Sequence, residues 1–258
     1  MRRFAVIGVL LAVVSVGVPG AFGEIERTGN LIVAFDGRFL PRTLPRDRDV
    51  PISVDLNGRI RTVDGSRPPQ LRRISIAVNR YGRLSTVGLP TCTTAQLEST
   101  SPSLARARCG DALVGRGHFG AQVEFPEAAP FPAEGSMLAF NGRSHGGPAV
   151  FLHIHGSNPI DITVILTFEI DRRPRRKFGT VFTAKIPRIA ADLGYVTNLS
   201  LGFDRRYRYR GEPRSFLSAR CAAPAGFPGA LFSFARGIFD FADGKRIATT
   251  LVGDCRVR

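Results

Sequence analysis

Two histidines, His153 and His155, are the pair in this sequence best placed to act together. Residues two apart in a β-strand project from the same face of the sheet, so both imidazoles could reach one metal ion. A third ligand would have to come from Asp161, across the following turn, or from His118 or His145. Because two histidines alone bind metal weakly, we expect half-exposed, hydrogen-bonded strand histidines and no cofactor. A metal-dependent hydrolase is the alternative.

Two arginine-rich segments form a second group that could bind a ligand. Arginine and tyrosine alternate along 206–210, so a strand there would carry the arginines on one side and the tyrosines on the other. A second basic run surrounds Pro174. Guanidinium groups fit phosphate and carboxylate geometry, so a polyanion- or sugar-binding surface is the alternative to a solvated strand edge and a polar loop. Its residues would be Arg172, Arg173, Arg175, Arg176, Arg206, Arg208 and Arg210.

Common enzyme motifs are absent or stand in the wrong setting. Residues 115–120 match the pattern GxGxxG, but a dinucleotide-binding loop must open a helix, and residues 121–126 continue as a strand pattern. The sequence contains no GxSxG nucleophile elbow and no HExxH metal motif. We therefore expect a protein that is not an enzyme.

The four cysteines follow an internal repeat. Segment 34–38 returns at 139–143, and segment 74–80 returns at 199–205. A cysteine follows each second motif and another closes each half, which favours pairing Cys92 with Cys109 and Cys221 with Cys255 among the three possible pairings. The repeat predicts two related β-sandwich-like units in tandem, residues 24–132 and 133–258, each with one disulfide. A single sandwich built from both halves is the alternative.

Apolar and polar residues alternate along most of the chain, which predicts an all-β fold. The turn signals are Asn57-Gly58, Asp64-Gly65, residues 156–158 and Asp243-Gly244. Very little helix is expected: residues 94–108 have helical character, but Pro102 should divide them into two short turns. The predicted strands are 31–35, 52–56, 74–78, 150–154, 160–170, 181–186, 199–203, 232–241 and 247–252.

The N-terminus predicts export. Arg2 and Arg3 precede an apolar run over 4–18, and small residues at 21–23 offer a cleavage site, so residues 1–23 are interpreted as a signal peptide with no membrane span after its removal. The formal net charge is +15, and 33 of the 36 basic residues are arginine. A basic exported protein could meet an anionic cell-envelope polymer, although coding bias in a GC-rich genome also explains the arginines. Export argues against a nucleic-acid partner.

Six segments are similar to known sequences: 89–92, 96–97, 109–117, 178–181, 194–197 and 221–229. They resemble a recurring element of exported, disulfide-containing β proteins from high-GC Gram-positive bacteria, a group of no known activity. The resemblance covers most of the chain after the signal peptide and implies export, disulfides and β structure. Taken together, the sequence predicts a secreted or cell-envelope-associated scaffold that presents loops and a basic face to the envelope or to another exported protein.

Overall fold

The structure, a computed structural model, describes residues 23–158, 161–173, 176–188 and 192–258. The predicted signal peptide therefore lies outside the described residues except for Gly23.

The all-β class with very little helix is confirmed. The described residues form eighteen strands and two short helices: β1 Glu24–Thr28, β2 Leu31–Leu40, β3 Thr43–Leu44, β4 Val50–Pro51, β5 Ser53–Thr62, β6 Leu71–Asn79, β7 Gly82–Leu84, α1 Thr94–Leu97, α2 Pro102–Cys109, β8 Leu113–Val123, β9 Phe131–Ser144, β10 Gly147–Asn158, β11 Ile162–Arg172, β12 Phe178–Lys185, β13 Gly194–Phe203, β14 Arg206–Tyr209, β15 Glu212–Ser215, β16 Leu217–Ala219, β17 Gly229–Phe241 and β18 Arg246–Val257.

One large curled sheet dominates the fold. Thirteen strands follow the order β1-β2-β5-β13-β8-β9-β10-β11-β12-β6-β17-β18-β3, and every pairing is antiparallel except that of β18 with β3. The curl brings β1 next to β18. There the Glu24 carboxylate accepts hydrogen bonds from the Thr250 backbone N–H at 2.6 Å and from the Thr249 hydroxyl at 3.1 Å. The two edge regions of the sheet therefore meet through a side chain.

Strands from the two predicted units are interleaved in this sheet. β13 lies between β5 and β8, and β6 lies between β12 and β17. The predicted boundary at 132/133 falls inside β9, which forms a hairpin with β8. Both halves thus contribute to one continuous sheet, and their relation as a tandem repeat stays a prediction from the sequence.

A three-stranded sheet, in the order β4-β16-β7, covers one end of the space inside the curl. Backbone hydrogen bonds extend both of its strand pairings, from the Ile52 N–H to the Leu217 carbonyl at 3.1 Å and from the Ser85 N–H to the Phe216 carbonyl at 2.9 Å. Phe216 is 1% exposed and packs inward, so apolar side chains plug this end of the fold.

The two short helices sit on the outer face of the large sheet. α1 begins with a capping box between Thr93 and Gln96, and α2 begins at Pro102 after the N-cap residue Ser101, so the predicted division at the proline is confirmed. Leu97 of α1 and other apolar residues of the helices pack on Phe140 and on neighbouring apolar residues of β9 and β10. We call the segment 93–112 the helical cap.

Both predicted disulfides are confirmed. Cys92 is bonded to Cys109 and Cys221 to Cys255, with Cα atoms 5.6 Å apart in each pair. The first pair belongs to the apolar cluster under the helical cap. The second belongs to the main core of the curled sheet.

Two of the predicted turns are wrong. Asp64-Gly65 and Asp243-Gly244 are turns, with glycine φ angles of +75° and +81°. Asn57-Gly58, however, lies inside β5, and residues 156–158 lie inside β10. Gly58 is paired with strands on both sides, and an added Cβ would lie 3.4 Å from Leu199 Cγ, so this glycine makes room for a neighbouring side chain.

Candidate functional site: an apolar interior and its mouth

The predicted histidine pair lies on the outer face of β10, under the helical cap. The two rings stack with centroids 6.2 Å apart, as residues two apart on a strand should. His153 is completely buried and the His155 side chain is only 12% exposed, so the prediction that both are half-exposed is wrong. The helical cap covers them because the Cys92 disulfide holds it against the sheet.

Nitrogen atoms of both histidines contact neighbouring groups of the protein. His153 Nε2 donates to the carbonyl oxygen of Thr100 at 2.8 Å. The Thr100 hydroxyl donates to the Leu97 carbonyl, which fixes Nε2 of His153 as the protonated nitrogen. His155 Nδ1 lies 3.1 Å from the Thr163 hydroxyl, which itself donates to the Thr100 carbonyl. Burial lowers the pKa of His153, so this imidazole stays neutral.

The other suggested ligands do not complete a metal site. Asp161 Oδ1 lies 3.8 Å from His155 Nδ1. His118 is exposed and lies in the same cross-strand row as His155, with Ser136 of β9 between them. His145 is at an exposed turn and contacts Glu169. Over residues 23–158, 161–173, 176–188 and 192–258, no three His, Cys, Asp or Glu side chains converge as metal ligands would.

Both arginine-rich segments contact the same part of the chain, residues 84–87. Arg172 Nη2 lies 3.4 Å from the Leu84 carbonyl, and the Tyr207 hydroxyl donates to the Val87 carbonyl at 2.7 Å. The side chains of Arg172, Arg173, Arg176, Arg206, Arg208 and Arg210 are exposed, whereas Arg175 lies outside the described residues. We call these exposed arginines, beside the three-stranded sheet, the arginine end.

The tyrosines of 206–210 are not sugar platforms. They alternate with exposed arginines, as predicted, but both are partly buried. The ring of Tyr209 lies so close to Gly88 that an added Cβ there would come within 2.3 Å of it. The tyrosines therefore pack the β14–β15 hairpin onto segment 87–88, and the arginines are the exposed side chains of 206–210.

A feature that the sequence analysis missed is an apolar cavity of about 330 Å³ inside the curled sheet. Inward-facing residues of β8, β10, β11 and β13 line it, among them Phe119, Ile154, Val164 and Leu201. These side chains are partly exposed although they point inward, because they border empty space instead of packing against another layer. The volume lies within the range usual for small-molecule sites, and an apolar lining is typical of them.

The cavity opens at the end opposite the three-stranded sheet. Two of its lining residues, Ile162 and Pro187, are exposed there, and Ile162 is 37% exposed. We call this opening the mouth. Two of the polar lining groups already have protein partners: Gln70 Nε2 donates to two backbone carbonyls, and Asn79 Nδ2 donates to the Ser233 carbonyl at 2.6 Å.

Charged residues border the mouth. Arg72 binds both carboxylate oxygens of Asp192, at 2.9 and 2.6 Å, and this contact lowers the pKa of Asp192. Arg188 Nε is 3.7 Å from the same carboxylate. Arg67 lies 3.7 Å from Glu124 and stacks over the ring of Tyr195 at 5.7 Å. Three arginines thus meet two carboxylates at the edge of an apolar interior.

The sequence did contain a signal for the cavity. Many strands have one apolar face, but only two short helices are available to cover them. The apolar faces must therefore meet one another, and a sheet of thirteen strands encloses more space than its own side chains fill.

Comparison with protein-family models, curated proteins and solved structures finds no match to this chain. Within the part of the chain that the structure describes, no helix is long and apolar enough to cross a membrane.

Proposed function

We propose that this protein is an exported, non-enzymatic β scaffold that binds an apolar small molecule in the interior of its curled sheet. The observation that carries the proposal is the cavity of about 330 Å³ lined by apolar side chains and open at the mouth. Burial of apolar surface stabilises a complex by about 25 cal/mol per Å², so the half-buried inward residues supply a driving force. Because Gln70 and Asn79 already have protein partners, they contribute few hydrogen bonds to a ligand. The shape and the apolar lining of the cavity therefore select the ligand.

The two disulfides indicate an oxidising environment. The signal-peptide pattern over 1–23 and the resemblance to exported β proteins of high-GC Gram-positive bacteria support secretion or attachment to the cell envelope. An exported carrier or reservoir for a poorly soluble molecule accords with this location.

A hydrolase at the histidine pair is the less favoured interpretation. His153 donates to the Thr100 carbonyl inside the fold, where neither water nor a substrate reaches it. A nucleophile- or water-activating base must reach the reacting proton, which a completely buried imidazole does not.

Binding of an anionic polymer at the arginine end is the second candidate function. The contacts of Arg172 and Tyr207 with segment 84–87 favour it, because they place both predicted arginine groups beside one another. The partner would be a cell-envelope polymer or an acidic surface of another exported protein. This end lies beside the three-stranded sheet, away from the mouth, so both functions can coexist.

Fluorescence of a neutral apolar probe, N-phenyl-1-naphthylamine, tests the cavity. The disulfide-bonded protein should bind the probe saturably at one site. Ala121→Trp, which fills the inner face of β8, should weaken binding at least about tenfold, since loss of one or two kcal/mol has that effect. Gln122→Trp, the next residue on the opposite face, is the matched control and should bind as the parent does. Absence of saturable binding to the parent, or equal binding by both variants, would overturn the proposal.

A further inference from the structure

The charge pattern at the mouth identifies the class of ligand. We propose that the cavity binds a single-chain amphiphile with an anionic head, its tail in the interior and its carboxylate or phosphate between Arg67 and Arg188. This inference rests on the proposed function and adds the chemistry of the ligand's head.

Among the described residues, Phe216 and the three-stranded sheet cover the end of the cavity opposite the mouth. A tail that enters beside Ile162 therefore leaves its head at the mouth. A charged head group that stays in water needs no pocket of its own. It needs only an opposite charge on the protein where the alkyl tail reaches solvent.

Arg67 reaches the rim of the mouth through the backbone of Asp192. One of its nitrogens donates to the Asp192 carbonyl, which also accepts from Gln70, a residue that lines the cavity. The distance of 3.7 Å from Arg67 to Glu124 is longer than a hydrogen bond. A guanidinium has five N–H donors, so Arg67 retains donors for an anion at the rim.

Arg188 is the second donor, and its distance from Asp192 is longer than a hydrogen bond. The Asp192 carboxylate is already bound on both oxygens by Arg72, and Arg188 approaches it only to 3.7 Å. The side chain of Arg188 is 80% exposed. Arg72 therefore neutralises Asp192, and Arg67 and Arg188 offer two positive charges to an anion on this side of the mouth.

The rim is held firmly enough to position these groups. Asp192 adopts a φ of +66°, which is uncommon for a residue other than glycine. Gln70 secures it by donating to the carbonyls of Asp192 and Gly194 at 2.9 and 2.7 Å, and Arg72 adds its two-pronged contact. Gln70 and Arg72 are thus positioning residues for the mouth.

Displacement of N-phenyl-1-naphthylamine by matched twelve-carbon ligands tests the inference. Dodecanoate and dodecyl phosphate should displace the probe at concentrations at least about tenfold lower than dodecanol, because a charge-assisted hydrogen bond contributes at least that factor. The better of the two anions distinguishes a fatty-acid-like from a phospholipid-like source.

In the double variant Arg67→Gln/Arg188→Gln this advantage should shrink to about twofold or less, with dodecanol and the probe bound as before. Arg236→Gln, an exposed arginine on the outer face of β17, should keep the full advantage. Equal affinity of the parent for dodecanoate and dodecanol would overturn the inference and leave the proposed function standing. Failure of the parent to bind the probe and all three ligands would overturn both.

Discussion

The imidazole of His153 is bonded to the backbone of Thr100: Nε2 of the histidine lies 2.8 Å from the threonine carbonyl oxygen. This bond ties the outer face of β10 to the loop between α1 and α2. The other nitrogen, Nδ1, is buried and has no hydrogen-bond partner among the described residues. Protonation of Nδ1 would therefore bury a charged N–H group without an acceptor.

The free energy of unfolding should consequently fall in mild acid. The pKa of His153 is lower in the folded chain than its ordinary value of about 6.5, because burial disfavours the charged ring. The unfolded chain then binds the proton more readily than the folded chain does. The contribution of His153 to the free energy of unfolding is therefore constant above about pH 6.5 and declines below it. This group contributes a slope of at most about 1.4 kcal/mol per pH unit. Urea unfolding at pH 7.5 and pH 5 measures the loss.

His153→Gln should remove this part of the pH dependence, because glutamine can still donate to the Thr100 carbonyl but does not titrate. His145→Gln, which changes an exposed turn residue, should keep it. If His153→Gln and the parent lost equal stability between the two pH values, His153 would not be the group responsible.

The two disulfides should differ in what they stabilise. Replacing either pair by alanine should lower the free energy of unfolding by about 2–5 kcal/mol. The Cys221–Cys255 bond closes a sequence separation of 34 residues against 17 for Cys92–Cys109, and this doubling alone adds about 0.6 kcal/mol. Urea unfolding measures both changes.

Hydrogen exchange distinguishes the two roles further. Loss of Cys92–Cys109 should speed exchange mainly in the helical cap, because that bond belongs to its local cluster. Loss of Cys221–Cys255 should speed exchange across the large sheet. Uniform acceleration in both variants would contradict this division.

Gly117, within the GxGxxG pattern, should be intolerant of a side chain. A Cβ at this position would lie 1.9 Å from the backbone oxygen of Ser200 in β13, and backbone cannot move aside as a side chain can. Gly117→Ala should lower the free energy of unfolding by about 1–3 kcal/mol or more. Gly110→Ala, where an added Cβ meets nothing within 4 Å, is the control and should change stability little. A stable Gly117→Ala protein would show that β8 and β13 are further apart than described.

The local features of this fold could be predicted from the sequence. Alternation of side chains located nine of the eighteen strands, Pro102 marked the division of the helical cap, and cysteine order indicated both disulfides. These signals are local, or depend on residue order alone. Asn57-Gly58 shows where a local signal fails: the same dipeptide suits a tight turn or a crowded strand, and only the neighbouring Leu199 decides.

The lining of the cavity and the position of the mouth could not be predicted, because they depend on pairings between distant parts of the chain. An apolar residue such as Leu201 looks the same in sequence whether it packs a core or lines empty space. Arg67 and Tyr195 are far apart in sequence, and they meet because β13 pairs with β5, the strand that precedes the loop carrying Arg67. The histidine pair was located on one face, but its burial depends on the helical cap.

The arginine end should make the protein bind polyanions in a salt-dependent way. Arg206 and Arg208 are exposed and two residues apart on β14, so both guanidinium groups can meet one anionic chain. On a polyphosphate resin the parent should elute at a higher salt concentration than Arg206→Gln/Arg208→Gln, since added salt screens charges within about 10 Å at 0.1 M. Arg59→Gln/Arg61→Gln removes the same charge from two exposed arginines of β5 and should elute close to the parent. Equal shifts in both double variants would mean that total charge, and not the arginine end, governs binding.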